Sequence, residues 1–208
     1  MKNEAWLDRW QGGNTGWHEL DGNRNLREHW QWSGKRVLVP LCGKTPDLLW
    51  LESKGNEVVG VELSDLAVRA FFEDNSLEYE EIDGRLAHYR AVDRRISLYC
   101  GDYFGFEGQS FDAHYDRGGL VALLPELRIR YAKHTSSLLD RGADQFVVTV
   151  EYDQAVCGGP PFSISQREIQ GHWPRLQRHV TVDDTANAPP KFREAGLEQM
   201  NEVVWRTV

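Results

Sequence analysis

The stretch that decides the fold is Arg36–Ser64, which reads RVLVPLCGKTPDLLWLESKGNEVVGVELS. It opens with Arg36–Pro40, an aliphatic and β-branched run that is typical of a strand buried on both faces. A tight turn follows at Leu41–Lys44. Thr45–Asp47 then supplies a hydroxyl cap, a proline at the first helical position and an acid in the first turn. The order strand, turn and helix is that of an α/β unit.

The second half of this stretch completes the unit. The helix is predicted to end near Gly55, and Val58–Val61 is predicted to form a second buried strand. Glu62 stands at the carboxyl end of that strand, nineteen residues after Gly43. The stretch therefore predicts one βαβ unit of about thirty residues.

The glycine turn and the terminal acid together indicate a ligand site. A turn that leads into a helix N-terminus directs backbone N–H groups and the positive end of the helix dipole toward an anionic or polar ligand. An acid about twenty residues further on, at the tip of the next strand, can bind both hydroxyls of a ribose. Gly43 and Glu62 fit this arrangement, which favours a nucleoside-type cofactor. The alternative is an ordinary α/β turn beside a surface glutamate.

Two phosphate-binding motifs can be compared with this turn, and neither is complete. Cys42–Thr45 resembles the end of a P-loop, but that motif needs glycine where Leu38 stands. The G-x-G-x-x-G pattern of dinucleotide sites also fails, because Thr45 and Leu48 replace its second and third glycines. S-adenosylmethionine contains a ribose, an adenine and an amino acid but no phosphate, so the turn suits this cofactor better.

Composition limits the class of protein. A chain of 208 residues is long enough for one domain with a sizeable core, and we predict a single domain. A net charge of −8 argues against a nucleic-acid partner, which would require clustered Lys and Arg. No apolar run approaches a membrane span, Met1–Glu4 begins no signal peptide, and the histidines show no metal-binding spacing. From these observations we expect no membrane partner and no metal. The three cysteines are typical of reduced thiols, so we expect a cytoplasmic location.

The first 32 residues form an aromatic arm. They hold five of the eight tryptophans, which are Trp6, Trp10, Trp17, Trp30 and Trp32. Trp6 and Trp10 share one face if the segment is helical; Gly12–Gly16 breaks this helix, and Asn25–Trp32 resumes a helical pattern. The arm is either a scaffold that packs on the sheet or a lid. As a lid, Trp10 and Trp17 would cover the carboxyl ends of the strands, and their faces would suit a sulfonium cation.

The segment after the βαβ unit is predicted to hold one helix and one strand. Ser64 caps a helix that runs through about Asp74. Its inner side is predicted to carry Leu66, Ala67, Ala70 and Phe71. Asn75–Asp93 is polar and is predicted to include irregular structure, whereas Ile96–Cys100 is predicted to be the third strand. Asp102 follows that strand, either as an acceptor for an adenine amino group or only as a turn residue.

A charged pair stands at the end of the fourth predicted strand, Phe111–Tyr115. In a doubly wound sheet the ends of the first and fourth strands flank the point where ligands bind. Asp116 and Arg117 lie there beside two glycines, so Arg117 is a candidate site residue. The alternative is an ion pair between Asp116 and Arg117 that ties down a loop.

The last third of the chain is predicted to alternate between helices and strands. Leu120–Leu139 is predicted to be largely helical with a break at Pro125, and Ser165–Glu168 is predicted to form a capping box. Three further strands are predicted at Gln145–Val150, Gln177–Val182 and Met200–Thr207. The last two of these are expected to pair.

Six segments form a recognisable combination that spans most of the chain. They are Trp6–Trp10 (WLDRW), Gly16–His18 (GWH), Val37–Lys44 (VLVPLCGK), Val59–Glu62 (VGVE), Tyr115–Arg117 (YDR) with Leu120–Ala122 (LVA), and Gly159–Phe162 (GPPF). In this order they resemble the thiopurine S-methyltransferase family, and the uninterrupted VLVPLCGK block is far more specific than a lone glycine turn. The resemblance implies an α/β fold with a doubly wound, seven-stranded, mostly parallel sheet and an N-terminal helical arm. Within one domain, 1–208, it implies an arm (1–32), a cofactor-binding core (36–150) and a region of acceptor-side loops and C-terminal strands (151–208).

The resemblance also implies roles for individual residues. The positions that match the family's cofactor contacts are Trp10, Leu41, Glu62 and Arg117, with Gly101 and Asp102 near the adenine. Gly43 joins them through the turn geometry described above. Trp17, Arg117 and Arg193 match positions beside the acceptor, and Arg117 is the predicted catalytic residue.

The family reaction moves the methyl group of S-adenosylmethionine to the thiol of a small aromatic or heterocyclic compound, and we expect a monomer. Alternatives are methyl transfer to thiocyanate, halide, selenium or tellurium species, a nicotinamide-dependent oxidoreductase on the same fold, and a nucleoside-binding module without catalysis. A heteroaromatic thiol is largely a thiolate near neutral pH. In-line displacement therefore needs alignment and exclusion of water more than a strong base, and Arg117 would favour the anionic acceptor.

Overall fold

The computed structural model describes residues 3–208, which form eight α-helices and nine strands. The helices are α1 (Asn3–Gln11), α2 (Arg24–His29), α3 (Asp47–Ser53), α4 (Asp65–Asp74), α5 (Gly119–Ala122), α6 (Pro125–Leu138), α7 (Gln166–His172) and α8 (Pro190–Glu194). The strands are β1 (Arg36–Pro40), β2 (Glu57–Glu62), β3 (Tyr79–Ile82), β4 (Ala87–Ala91), β5 (Ile96–Cys100), β6 (Phe111–Arg117), β7 (Leu139–Tyr152), β8 (Leu176–Asp183) and β9 (Met200–Thr207). None of these helices is both long and apolar enough to cross a bilayer.

Contacts between residues group the described chain into two compact units. The first unit contains residues 3–115 together with Leu138–Ala143. The second unit contains Asp116–Ser137 and Asp144–Val208. The single domain over 1–208 that the sequence suggests stays a prediction.

The sheet of the first unit has the strand order β3-β4-β5-β2-β1-β6. Strands β5, β2, β1 and β6 pair in parallel, whereas β3 and β4 are antiparallel to their neighbours. Val37–Val39 of β1 and Val58–Val61 of β2 are buried, as expected for central strands of a parallel sheet. The predicted α/β fold with a parallel core and the boundaries of the βαβ unit are confirmed.

Residues 75–93, which were predicted to include irregular structure, contain the β3–β4 hairpin. This prediction was incomplete because β3 reads YEEI and is largely exposed, so its charged composition resembles that of a loop. The hairpin is stabilised by Tyr89, a buried residue of β4 whose ring centroid lies 5.6 Å from that of Tyr79 and 6.5 Å from that of Phe72. With the hairpin, residues 3–208 form nine strands, not the seven predicted, and a larger antiparallel part.

Of the two helices that follow β1 and β2, α4 begins at its predicted cap and α3 begins one residue later than predicted. Pro46 occupies the cap position of α3 and makes no side-chain hydrogen bond, whereas Oγ1 of Thr45, just before it, accepts a hydrogen bond from the N–H of Asp47 at 3.3 Å. Oγ of Ser64 accepts a hydrogen bond from the N–H of Ala67 at 3.3 Å, and caps α4. Both polar side chains thus satisfy N–H groups that have no partner inside their helices.

The inner face of α4 differs in part from the prediction, since Ala70 is half-buried and Val68 and Phe72 were not predicted. Leu66 is 52% exposed, whereas Ala67, Val68, Phe71 and Phe72 are buried. These four residues form one stripe at the spacing of a helix, and Leu66 lies outside it. The prediction that Leu66 faces inward was therefore wrong.

The second unit contains the antiparallel strands β7, β9 and β8, in that spatial order. The predicted pairing of the last two strands is confirmed, with an irregularity in β8 between Arg178 and Val180. The helical segment breaks before Pro125, as predicted, into α5 and α6. This unit also carries the tip of β6, at Asp116 and Arg117.

The predicted capping box of α7 is half formed. Oγ of Ser165 accepts a hydrogen bond from the N–H of Glu168 at 3.2 Å. The carboxylate of Glu168 accepts a hydrogen bond from Nη1 of Arg128 at 2.8 Å, in place of the return bond to Ser165 that a capping box requires. A buried guanidinium on α6 thus competes successfully for the carboxylate.

Candidate cofactor site

The turn after β1 has an unusual backbone. Leu41 has φ +49° and Gly43 has φ +54°, so two residues of the turn adopt the left-handed region. For a leucine this conformation costs about 1–2 kcal/mol, and such strain is concentrated at functional sites. A Cβ atom on Gly43 would lie 3.3 Å from Cζ2 of Trp10. The turn therefore needs glycine both for its backbone and for the close approach of the arm.

Glu62 is bound to this turn through its side chain. It is 6% exposed, and its Oε2 accepts a hydrogen bond from the N–H of Gly43 at 2.8 Å. Its Oε1 accepts one from the N–H of Ser64 at 2.9 Å. Burial raises the pKa of Glu62, and the backbone hydrogen bonds partly offset that rise. An ionised carboxylate has about four lone-pair sites, so acceptor capacity is left for the two hydroxyls of a ribose.

Gly101 borders the same strand end. Its N–H donates to the backbone carbonyl oxygen of Glu62 at 2.8 Å. Its φ is +148°, and a Cβ atom there would lie 2.5 Å from Cδ2 of Leu86. Leu86 stands in the 75–93 segment, and nothing in its local sequence predicts that it neighbours the site.

Asp102 follows Gly101 and is exposed. Its Oδ1 accepts a hydrogen bond from the N–H of Phe104 at 3.0 Å, which makes it the cap of a short 3₁₀ turn at Tyr103–Gly105. The structure thus gives Asp102 the role of turn residue. Contact with an adenine stays a prediction.

The aromatic arm converges on the glycine turn. Trp10 is 6% exposed and its ring centroid lies 5.7 Å from that of Trp17, in an edge-to-face arrangement. Trp17 is also 5.2 Å from Trp6, and the guanidinium of Arg9 lies within 6 Å of the Trp6 and Trp17 rings. The two tryptophans of the predicted lid therefore lie together, and Trp10 contacts the position of Gly43. Whether they close over a cofactor stays a prediction.

The acid of the predicted Asp116–Arg117 pair is buried in the second unit. Asp116 is 0% exposed, and its carboxylate accepts hydrogen bonds from Tyr131 Oη at 2.8 Å and from the N–H groups of Gly119 and Leu120 at 3.1 and 3.2 Å. Burial raises the pKa of Asp116 to about 6. The side chain joins the end of β6 to α5 and α6, which makes it structural.

The two predicted arginines both lie in the second unit, in different elements. Arg117 is the last residue of β6, is half-buried, and precedes Gly118, whose φ is +88°. Arg193 is an exposed residue of α8, with Nη1 3.5 Å from the carbonyl oxygen of Ala186. Their predicted contacts with the acceptor, and that of Arg117 with the cofactor, stay predictions.

The role of Asp47 is not apparent from its position in the sequence. This first residue of α3 looked like an acid that complements the helix dipole. In the structure it is 1% exposed, and its carboxylate accepts hydrogen bonds from the N–H of Asn23 at 2.8 Å and from Oη of Tyr115 at 2.7 Å. Nothing in the local sequence identifies partners that are 24 and 68 residues away.

Comparisons with known proteins identify the family. The sequence profile of the family described as thiopurine S-methyltransferase matches residues 1–208. Among relatives, a thiopurine S-methyltransferase of Bordetella petrii is 39% identical over 99% of this chain and 98% of its own length. One of Pseudomonas syringae pv. syringae is 37% identical, over 99% of this chain and 97% of its own length.

Solved structures give the same fold at much lower sequence identity. The 1,6-didemethyltoxoflavin-N1-methyltransferase of Burkholderia thailandensis, solved with S-adenosylhomocysteine bound, has a TM-score of 0.66 and 16% identity, over 99% of this chain and 87% of that one. A SAM-dependent methyltransferase of Anabaena variabilis has a TM-score of 0.63 and 12% identity, over 99% and 95%. These two support the fold alone, and the full-length matches in sequence decide the family. The chain belongs to the thiopurine S-methyltransferase family.

Proposed function

We propose that this protein transfers the methyl group of S-adenosylmethionine to the thiolate sulfur of a small aromatic or heterocyclic acceptor such as a thiopurine. The observation that carries the proposal is the cradle of Gly43 and Glu62, in a chain whose whole length matches a methyltransferase family. The membership also argues against the nicotinamide-dependent alternative, whose glycine pattern the turn lacks.

The residues of the first unit suit the proposed cofactor. Glu62 would accept hydrogen bonds from the two ribose hydroxyls while it keeps those from Gly43 and Ser64. Gly43 carries no side chain, so the backbone of the turn can lie close to a ligand as well as to the ring of Trp10. Trp10 and Trp17 would supply aromatic surface for a sulfonium cation. Gly101 and Asp102 would lie on the adenine side.

The chemistry assigned to the chain is modest. S-adenosylmethionine supplies an electrophilic methyl group on its sulfonium sulfur. The protein must align the acceptor sulfur with that methyl group and exclude water from a soft anion. We assign the holding of the anionic acceptor to Arg117, with Arg193 and Trp17 as further acceptor contacts. Asp116 is an unsuitable base, because it is buried and both of its oxygens accept hydrogen bonds from Gly119, Leu120 or Tyr131.

A methyl-transfer assay with isotopically labelled S-adenosylmethionine tests this proposal. We expect S-methylation of a thiopurine and of related heteroaromatic thiols, and weaker or no transfer to thiocyanate, halide or selenium species. Glu62→Gln, which keeps one acceptor oxygen but loses the charge, tests the cofactor contact and should raise the KM for S-adenosylmethionine. A protein that binds S-adenosylhomocysteine but methylates no thiol in the panel would contradict the proposed acceptor class.

We also propose that the enzyme is a monomer whose partner is a small molecule. Sedimentation at several protein concentrations tests this. The cytoplasmic location expected from the reduced cysteines remains a prediction for fractionation experiments.

A further inference from the structure

Asp47 is a buried carboxylate that the proposed chemistry does not use. It is 1% exposed at the start of α3, and its Oδ1 and Oδ2 accept hydrogen bonds from Asn23 N and Tyr115 Oη. Its own N–H donates to Oγ1 of Thr45. A buried carboxylate is costly unless hydrogen bonds compensate for lost hydration. Asp47 therefore joins three segments: the arm at Asn23, the residues just after the glycine turn at Thr45, and β6 at Tyr115.

The arm is anchored to the cofactor turn at two points. Trp10 packs against Gly43, and Asn23 donates its N–H to Asp47, four residues further along the same segment. Asn23 is itself the cap of α2, since its Oδ1 accepts a hydrogen bond from Leu26 N at 2.9 Å. The chain between the anchors, residues 11–22, carries Trp17. The loop with Trp17 therefore begins and ends on the segment that would hold the cofactor.

Gly22 shows how closely the second anchor is fitted. Its φ is +72°, and a Cβ atom on it would collide with Oδ1 of Asp47. Gly13, at the other end of the same loop, has a similar φ of +67°, but a Cβ atom there would meet nothing within 4 Å. Alanine at the two glycines thus imposes the same kind of backbone strain, and only at Gly22 does it also displace the chain from Asp47.

We propose that Asp47 is a positioning residue for the cofactor: its carboxylate holds the loop 11–22, with Trp17, against the turn that binds S-adenosylmethionine. The inference rests on the proposed cofactor site. When the hydrogen bond from Asn23 to Asp47 is lost, the conformation in which the loop 11–22 covers the turn is populated less often. The apparent dissociation constant then rises in proportion, because only the competent fraction binds tightly.

The matched pair Gly22→Ala and Gly13→Ala tests this inference directly. Calorimetry with S-adenosylhomocysteine should show a dissociation constant about tenfold higher in Gly22→Ala than in Gly13→Ala, since one anchoring interaction is lost. The melting temperature of both variants should fall. Equal dissociation constants in the two variants would overturn the inference, because backbone strain alone would then explain every change.

Asp47→Asn provides a second measurement that does not depend on the glycines. It keeps the size of the side chain but loses its charge and one acceptor oxygen. We expect the KM for S-adenosylmethionine to rise about three- to tenfold, with kcat and the acceptor KM at saturating cofactor unchanged. A lower melting temperature with an unchanged cofactor KM would mean a purely structural residue and would overturn the inference.

Glu62→Gln separates failure of this inference from failure of the cofactor site. If Glu62→Gln weakens S-adenosylhomocysteine binding and the glycine pair does not differ, only the role of Asp47 is wrong. If Glu62→Gln leaves the affinity unchanged, the proposed site is wrong and the inference falls with it.

Discussion

Glu62 and Asp116 are both buried acids at the carboxyl end of a parallel strand, each beside a glycine turn, yet their surroundings differ. The carboxylate of Glu62 accepts hydrogen bonds from the backbone N–H groups of Gly43 and Ser64, which lie on two separate segments of the first unit. Asp116 accepts hydrogen bonds at both oxygens from Gly119, Leu120 and Tyr131, all in the second unit. The same residue class at the same kind of strand end thus serves as a candidate ligand contact or as a structural junction.

The difference arises from side-chain length and from the donors within reach. The longer glutamate extends past its own turn to the segment after β1, and its carboxylate keeps acceptor capacity for a ligand. The shorter aspartate reaches only the turn that follows it and one tyrosine, and these supply three donors, of which the Leu120 N–H is shared by both oxygens. Both acids are buried, so we expect the segments that their donors come from, more than burial, to separate a ligand-binding acid from a structural one.

The largest effect is expected at Glu62. Glu62→Gln should weaken S-adenosylhomocysteine binding by about 1.5–3 kcal/mol for each ribose hydrogen bond that it loses, because those bonds are charge-assisted. Isothermal calorimetry measures this. Asp116→Asn is the matched control, and its affinity should stay within about twofold of the wild-type value. An unchanged affinity in Glu62→Gln would remove the functional half of the comparison.

Glu62→Ala is a less informative variant than Glu62→Gln. It leaves the N–H groups of both Gly43 and Ser64 without their acceptor, whereas the single amide oxygen of glutamine still serves one of them, and each buried group left unpaired costs about 1–3 kcal/mol. A loss of cofactor binding in the alanine variant would then mix binding with folding. We therefore expect its melting temperature to fall more than that of Glu62→Gln.

The next effect is the pH dependence of stability at Asp116. Burial raises its pKa from 3.8 to about 6, so the folded state holds this proton more tightly than the unfolded chain does. Its contribution to stability is full below about pH 4 and falls by roughly 3 kcal/mol as the pH rises through about 6. Urea unfolding at a series of pH values should show this slope in the wild type and its loss in Asp116→Asn.

The comparison with the variant is needed because a second group titrates in the opposite direction. Burial lowers the pKa of His114 to about 3. Its contribution to stability is therefore lost as the pH falls from about 6.5 toward 3. His114 is present in both proteins and cancels in the difference. A difference between the two curves that does not vary with pH would contradict the raised pKa of Asp116.

A smaller effect is expected at Arg117, next in sequence to Asp116. If its charge favours the anionic acceptor, Arg117→Ala should lower kcat and move the pH profile upward by about one pH unit. Arg117→Lys keeps the charge but not the planar fork of donors, and should retain part of the activity. Profiles measured at saturating cofactor with thiols of different pKa check this. A lower melting temperature or weaker cofactor binding, with an unshifted profile, would assign Arg117 to structure or to the cofactor.

The smallest effect concerns the arm beside Glu62. Binding of S-adenosylhomocysteine should slow proteolysis near Gly12–Gly16 several-fold, because a covered turn keeps the loop closed more of the time. Digestion with and without the ligand, followed by mass spectrometry, measures the rate. Equal cleavage rates would leave the arm as a scaffold and would restrict the binding function to the strand ends.

Local sequence determined much of this protein. The β-branched run at Arg36–Pro40, the cap at Ser64 and the acid at Glu62 predicted the βαβ unit correctly, because these preferences depend on residues within one or two turns of the chain. The VLVPLCGK block, which is likewise one continuous local segment, indicated the family.

Tertiary structure decided the features whose partners are distant. Residues 75–93 form a hairpin because Tyr89 packs on Phe72 and Tyr79, which outweighs a charge-rich composition. Asp47 and Asp116 look alike in sequence, each an acid beside a helix start. Only long-range contacts distinguish the acid that joins the arm to β6 from the one that joins β6 to α6, because hydrogen bonds across 68 or 15 residues leave no periodic trace in the chain.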